Sequence, residues 1–260
     1  MASDRPSIDH LKCRLYLYGV FPAMPELVAN TPEARDIIAQ EPFSIGFKTF
    51  SKLRTALALT PEGGEVWHDE DRPADIDLYF HTDGQAVAAF ERRGGIPPMP
   101  VRGFTRIGLT KRFEALGDLL MACLRPSNDR LADPNFRDFF ATISFGVAMR
   151  SVAQLCDFET ASKALLANGP RGIVSFQLGS GGKPIWVRLE PGHLGWGTGK
   201  PPREADALMT FHDSHTAAAA LLDRLDAIAA VNAGRVELEG LVPLADLLNR
   251  LLERVSRYLP

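Results

Sequence analysis

Several short runs of this chain alternate apolar and polar residues with a period of two, and each predicts a strand with one face turned inward. Val174, Phe176 and Leu178 alternate with Ser175 and Gln177, and Ile185, Val187 and Leu189 with Trp186 and Arg188. Leu194 and Trp196 follow the turn signal Pro191-Gly192. Asp206–Phe211 reads as a fourth strand and Gly234–Glu239 as a fifth. Tight turns between such strands predict a mostly antiparallel sheet. Other stretches carry helical spacing. Phe136–Leu155 presents Phe139, Phe140, Ile143, Val147, Met149 and Val152. Asp157 is expected to cap a second helix bearing Ala161, Leu165 and Leu166 and stopping at Gly169. Asp213-Ser214 is expected to start an Ala/Leu-rich helix through Ala230. A closing helix sets Leu244, Leu247, Leu248, Leu251, Leu252 and Val255 against Asn249, Arg250, Glu253 and Arg254.

The first half repeats this order. Thr31-Pro32-Glu33 starts a helix, with strands expected near Ile45–Phe50, Leu53–Leu59, Glu65–Trp67, Ile76–Phe80 and Gly103–Leu109. A last helix carries Phe113, Leu116, Leu119, Leu120 and Cys123. The residues themselves recur. Ala74-Asp75 … Phe80-His81 matches Ala205-Asp206 … Phe211-His212, Gly19-Val20 matches Gly146-Val147, Phe47 matches Phe176, and Gly103 is paired with Gly234. The spacing of the matches drifts by single residues, as small loop insertions in a duplicated domain would make it. The expected domains are residues 8–126 and 134–260, with 127–133 as linker between turn formers. Where the second half has Leu225–Val231, the first has Gly94-Gly-Ile-Pro97-Pro98-Met-Pro100, whose prolines exclude a regular helix.

The Ala205–Phe211 strand, the Gly234-Arg-Val-Glu-Leu-Glu-Gly240 piece and the leucine-rich helix that follows resemble the sterol carrier protein type 2 domain. The resemblance covers residues 170–255 and, through the repeat, 43–124. It implies a five-stranded, mostly antiparallel curved sheet covered by helices in each domain, and with the duplication the expectation is an α+β chain of two homologous domains packed as a pseudo-dimer. It also implies an apolar tunnel between sheet and helices. Members bind sterols, acyl chains or other lipids, or serve enzymes as accessory domains, and have no fixed catalytic residues to transfer.

Composition fits that expectation. The chain has 260 residues, 45% hydrophobic and 23% charged, and a net charge of -3, so no basic excess points to nucleic acid. Cys13, Cys123 and Cys156 form no metal-type spacing and read as buried thiols of a reducing compartment. The polar N-terminus offers no secretory signal, and no apolar run long enough to span a membrane is visible, so a cytoplasmic location is expected. No cofactor and no metal is expected.

A carrier needs unfilled apolar volume rather than a reactive group. The residues expected to line it are Phe176, Trp186, Leu194, Trp196, Met209, Phe211, Leu222, Ile228, Leu248 and Leu252, with the last helix as a lid. The expected ligand is a lipid or other hydrophobic small molecule, delivered through transient membrane or enzyme contact. The rival readings are an accessory module with a vestigial pocket and an enzyme that uses the pocket. Three further patterns read as structure. His81 and His212 stand at matching strand ends without a Ser, Cys or paired carboxylate; His68-Asp-Glu-Asp71 reads as a solvated loop; Gly179–Lys183 lacks the Ser/Thr and helix a phosphate loop requires, since Pro184 follows.

Overall fold

A computed structural model describes residues 6–179, 183–222 and 224–259. The chain divides into one unit ending at Cys123 and a second beginning at Leu124. Both units are α+β, and each is built on one five-stranded sheet.

In the first unit Ser7 caps α1 (Ile8–Arg14) by accepting a hydrogen bond from the His10 amide. The chain continues through a wide turn at Leu15–Val20, every residue of which is buried, into α2 (Met24–Asn30). Pro32 opens α3 (Pro32–Ala39), but the Thr31 hydroxyl turns back to the Leu27 carbonyl and caps nothing. The strands are β1 (Phe43–Thr49), β2 (Arg54–Thr60), β3 (Gly63–His68), β4 (Ile76–Phe80) and β5 (Met99–Arg102), ordered β3-β2-β1-β4-β5. Only β1 and β4 pair in parallel. Helix α4 (Asp83–Phe90) precedes β5, and α5 (Gly108–Leu124) closes the unit.

The second unit repeats the plan. Helix α6 (Asn128–Leu131), capped by Ser127, occupies the stretch read as linker. Then come α7 (Pro134–Phe158), α8 (Thr160–Asn168), β6 (Gly172–Leu178), β7 (Ile185–Glu190), β8 (His193–Thr198), β9 (Ala207–Phe211), α9 (Ser214–Leu221), α10 (Ala227–Asn232), β10 (Val236–Gly240) and α11 (Val242–Val255). The sheet order is β8-β7-β6-β9-β10, with β6 and β9 parallel and the other neighbours antiparallel. By length and composition α7 could cross a membrane, contrary to the sequence expectation, but 61% of its most apolar window is buried inside the protein, as in a core helix.

The matched Ala-Asp pairs have a mechanical role. The Asp75 carboxylate accepts the Ser44 amide at 2.8 Å, and the Asp206 carboxylate accepts the Ile173 amide at the same 2.8 Å. Each aspartate thus ties the start of the parallel pair at the sheet centre. A left-handed glycine then closes on the carbonyl of each. A Cβ at Gly103 (φ 73°) would lie 1.9 Å from the Asp75 oxygen, and one at Gly240 (φ 83°) would lie 2.3 Å from that of Asp206. Gly103 therefore corresponds to Gly240, not to Gly234.

Three expected boundaries are corrected. The fifth strand of the first unit is Met99–Arg102 rather than Gly103–Leu109, because Gly103 ends the strand and turns the chain into α5. Asp157 lies inside α7, and Glu159 holds the cap position of α8. The alanine-rich helix breaks after Leu221 and resumes at Ala227, where Asp226 caps α10.

Candidate functional site

The space between sheet and helices differs between the units. In the first it is filled by interlocked rings. Phe21 lies 5.3 Å from Phe47, 4.8 Å from Phe90 and 5.2 Å from Phe113, ring centre to ring centre. Phe47 and Phe113 meet at 4.9 Å, Phe80 and Phe90 at 5.4 Å, and Tyr16 and Phe90 at 5.7 Å. Tilted and edge-on contacts of this kind are the favoured packing of aromatic rings.

In the second unit Phe145 and Phe176 meet at 4.9 Å, and most of the layer is aliphatic. Helices α4 and α9 end in register, so Leu221 stands where the first unit has Phe90. The burial pattern sets Leu109, Phe113 and Leu116 of α5 against Leu244, Leu248 and Leu251 of α11, and Arg112, on Gln40, matches Leu247, on Gly169. The Gly19-Val20 and Gly146-Val147 match sets Phe21 against Ala148. Three phenyl rings thus give way to two leucines and an alanine.

Of the expected lining residues, Phe176, Leu194, Phe211 and Leu248 are buried in this layer, and Trp196, Met209 and Leu252 pack partly buried against it. Leu222, the C-cap of α9, is half-buried at the break before α10. Trp186 is elsewhere: Ile185, Val187 and Leu189 point inward, so strand alternation puts Trp186 on the outer face, where its ring covers Gly197 on β8. The side chain of Ile228 lies outside the described residues, as does Ser180–Gly182 of the glycine-rich turn.

The expected lid is bolted in place. Arg254 on α11 grips both carboxylate oxygens of Glu159, with its Nε at 2.7 Å from Oε2, and the Tyr258 hydroxyl donates to Oε1 at 2.6 Å. Ser162 donates to the same carboxylate. Desolvation would raise the Glu159 carboxyl, but the Arg254, Ser162 and Tyr258 hydrogen bonds outweigh it and hold the pKa at about 2. Sequence reasoning missed this cluster because its members lie far apart in the chain.

Other titratable groups among the described residues make local contacts: Asp83 meets the His10 ring at 2.8 Å and accepts the Ser51 hydroxyl at 2.6 Å. His212 meets Glu237 at 3.0 Å on the surface, and the Asp213 carboxylate caps α9. His81 packs edge-on against Tyr79. His68 lies on β3, stacked on Tyr18, while Asp69 accepts the Tyr18 hydroxyl at 2.6 Å. Burial pushes the Cys156 thiol up to about 12 and raises Cys13 as well, which keeps both protonated and poorly nucleophilic. Among the described residues no three His, Cys, Asp or Glu side chains are grouped to hold a metal ion.

No family model and no curated protein matches the chain. Solved structures do. A UbiJ-SCP2 ubiquinone synthesis protein is 12% identical over 45% of this chain and 98% of its own, with a TM-score of 0.35. Sterol carrier protein domain 2 of Helicoverpa armigera is 17% identical over 44% and 89%, with a TM-score of 0.31. Apo sterol carrier protein 2 of Yarrowia lipolytica is 17% identical over 39% and 91%, with a TM-score of 0.32. The chain is similar to sterol carrier protein domains, each solved domain matching less than half of its length.

Proposed function

We propose that the protein is a non-catalytic carrier that holds a lipid or other hydrophobic small molecule between sheet and helices of its second unit and transfers it. The observation that carries this reading is the replacement of Phe21, Phe90 and Phe113 by Ala148, Leu221 and Leu248 within one duplicated frame. Interiors pack to near-crystalline density, so removing three rings from a layer leaves volume to be filled by relaxation or by a guest. The rim of that layer, at Trp196, Met209, Leu221 and Leu252, is apolar and only partly covered. Entry past the α9–α10 break suits this arrangement better than a swing of α11, which the Glu159–Arg254 pair restrains.

The test is displacement of a fluorescent fatty-acid analogue, with lipid analysis of solvent extracts from the purified protein. The reading expects saturable binding by the wild type and its loss in the Ala148→Phe/Leu221→Phe/Leu248→Phe variant, which rebuilds the first unit's rings. An empty wild-type protein that takes up no probe, or a rebuilt variant that binds as well as wild type, ends the proposal.

A further inference from the structure

A cleft of about 410 Å³ in the second unit is lined by Arg171, Gly172, Arg188, Glu190, Pro191 and Arg203. Arg188 and Glu190 alternate with the inward Val187 and Leu189, so the cleft belongs to the outer face of the sheet and not to the apolar layer. We propose that it is a binding site for an oxyanion of the phosphate or phosphomonoester class, independent of the carrier reading.

Three guanidinium groups converge there from three places in the chain: the residue before β6, the outer face of β7, and the loop between β8 and β9. Arg203 is engaged, donating to Asp206 at 2.6 Å and to the Glu204 carbonyl at 3.0 Å. The other two have donors to spare. Arg171 has no hydrogen bond or ion pair among the described residues. The Arg188 Nε–H is buried without an acceptor, and its nearest carboxylate, Glu190, stands at 3.7 Å. That distance is too long for a hydrogen bond. Three cations face the two carboxylates of Glu190 and Asp206, leaving one positive charge over. Guanidinium forks pair two by two with oxyanions, and a tetrahedral anion offers acceptors to several forks at once.

The first unit lacks the site. By the strand registers its residues at the positions of Arg171 and Arg188 are Pro42 and Ala58, and by the Ala74-Asp75/Ala205-Asp206 match Arg72 stands at that of Arg203. Arg72 is occupied by Glu70 at 2.8 Å and by the Trp67 ring at 4.8 Å. The duplicated frame therefore does not require arginines here.

Inorganic phosphate titrated into the full chain, followed by amide NMR shifts, tests the proposal. It expects one saturable site with shifts at Gly172 and Gly195. Affinity should fall at least tenfold in Arg188→Gln and in Arg171→Gln, and stay unchanged in Arg72→Gln. Glu190→Gln should tighten binding a few-fold, a gain that a misfolded variant does not produce. Flotation with vesicles of phosphatidylcholine, with or without phosphatidic acid, separates the sources. Arg188-dependent flotation only with phosphatidic acid supports the site as reading a lipid headgroup; saturable phosphate binding without flotation supports it as reading a soluble phosphate. No saturable binding, equal binding by wild type and both arginine variants, or acetate binding as tightly as phosphate overturns it.

Discussion

The two units share a frame and differ in what they put inside it. Sheet order, the single parallel pair, the aspartate at its start and the left-handed glycine after the fifth strand are common to both. The layer between sheet and helices is not: Tyr16, Phe21, Phe47, Phe80, Phe90 and Phe113 form a continuous aromatic fill in one, where the other keeps Phe145, Phe176 and Phe211 in a mostly aliphatic layer. Backbone hydrogen bonding and turn geometry fix a frame, while an apolar layer tolerates exchange so long as its volume is met by side chains or by a guest.

The largest effect should come from emptying the filled unit. Phe113→Ala, and separately Phe90→Ala, should each cost about 3–5 kcal/mol in chemical denaturation. Phe113→Ala should also let the first unit take up a small apolar probe that wild type confines to the second. Destabilisation below 1 kcal/mol would show that these rings are not packed as a fill, and the contrast between the units would collapse.

The restraint on α11 comes next. Removing one member of the Glu159–Arg254 pair leaves a nearly buried charge without its partner, and Arg254→Met should destabilise the protein by about 3 kcal/mol at neutral pH. The Glu159 pKa is held down at about 2 from an ordinary 4.5. Its contribution is therefore complete above pH 4.5 and is lost as pH falls from there towards 2. The stability difference between wild type and Glu159→Gln should shrink over that window. A difference that stays constant from pH 6 to pH 3 would mean that the carboxylate is not held by this cluster.

The shared frame can be broken at its glycines. A methyl group at Gly103 or Gly240 meets the carbonyl of Asp75 or Asp206 and sits at a positive φ, so Gly103→Ala and Gly240→Ala should each cost about 2–3 kcal/mol. The same change at Gly234, which has open space around it, bears only the cost of its backbone conformation. Equal losses at Gly234 and Gly240 would dissolve the correspondence drawn between Gly103 and Gly240.

That correspondence also shows what the sequence could carry. The Ala-Asp pairs are legible because the same two residues open the same apolar strand in both copies, although the amides their carboxylates hold lie 31 and 33 residues away, and strand alternation is legible wherever apolar residues keep a period of two. Gly103 was paired with Gly234 because α10 lies between β9 and β10 in one unit and a proline-rich loop fills that place in the other, which shifts the count of residues. The outward position of Trp186 is written in its alternation with Ile185 and Val187, whereas its size alone argues for the interior. The Glu159 cluster and the arginine cleft were not legible. They bring together residues separated by strand order and helix packing, and no local spacing announces them.

The smallest expected effect concerns the helix starts that the two units solve with different chemistry. Thr82 caps α4 by accepting the Gln85 amide at 3.0 Å, and Asp213 caps α9 by accepting the Thr216 amide at 2.7 Å and the Thr216 hydroxyl at 2.8 Å. Losing a cap costs about 1 kcal/mol. The carboxylate also meets the positive end of the helix, and these hydrogen bonds hold its pKa below the usual range against desolvation. Asp213→Ala should therefore cost more than Thr82→Ala at neutral pH. Its excess is present above the ordinary aspartate pKa and should disappear as pH falls through the depressed one, while the Thr82→Ala loss should not vary through this cap. Denaturant midpoints of both variants across that range check the contrast. Matching pH profiles would mean that the two caps differ in residue type but not in the physics they contribute.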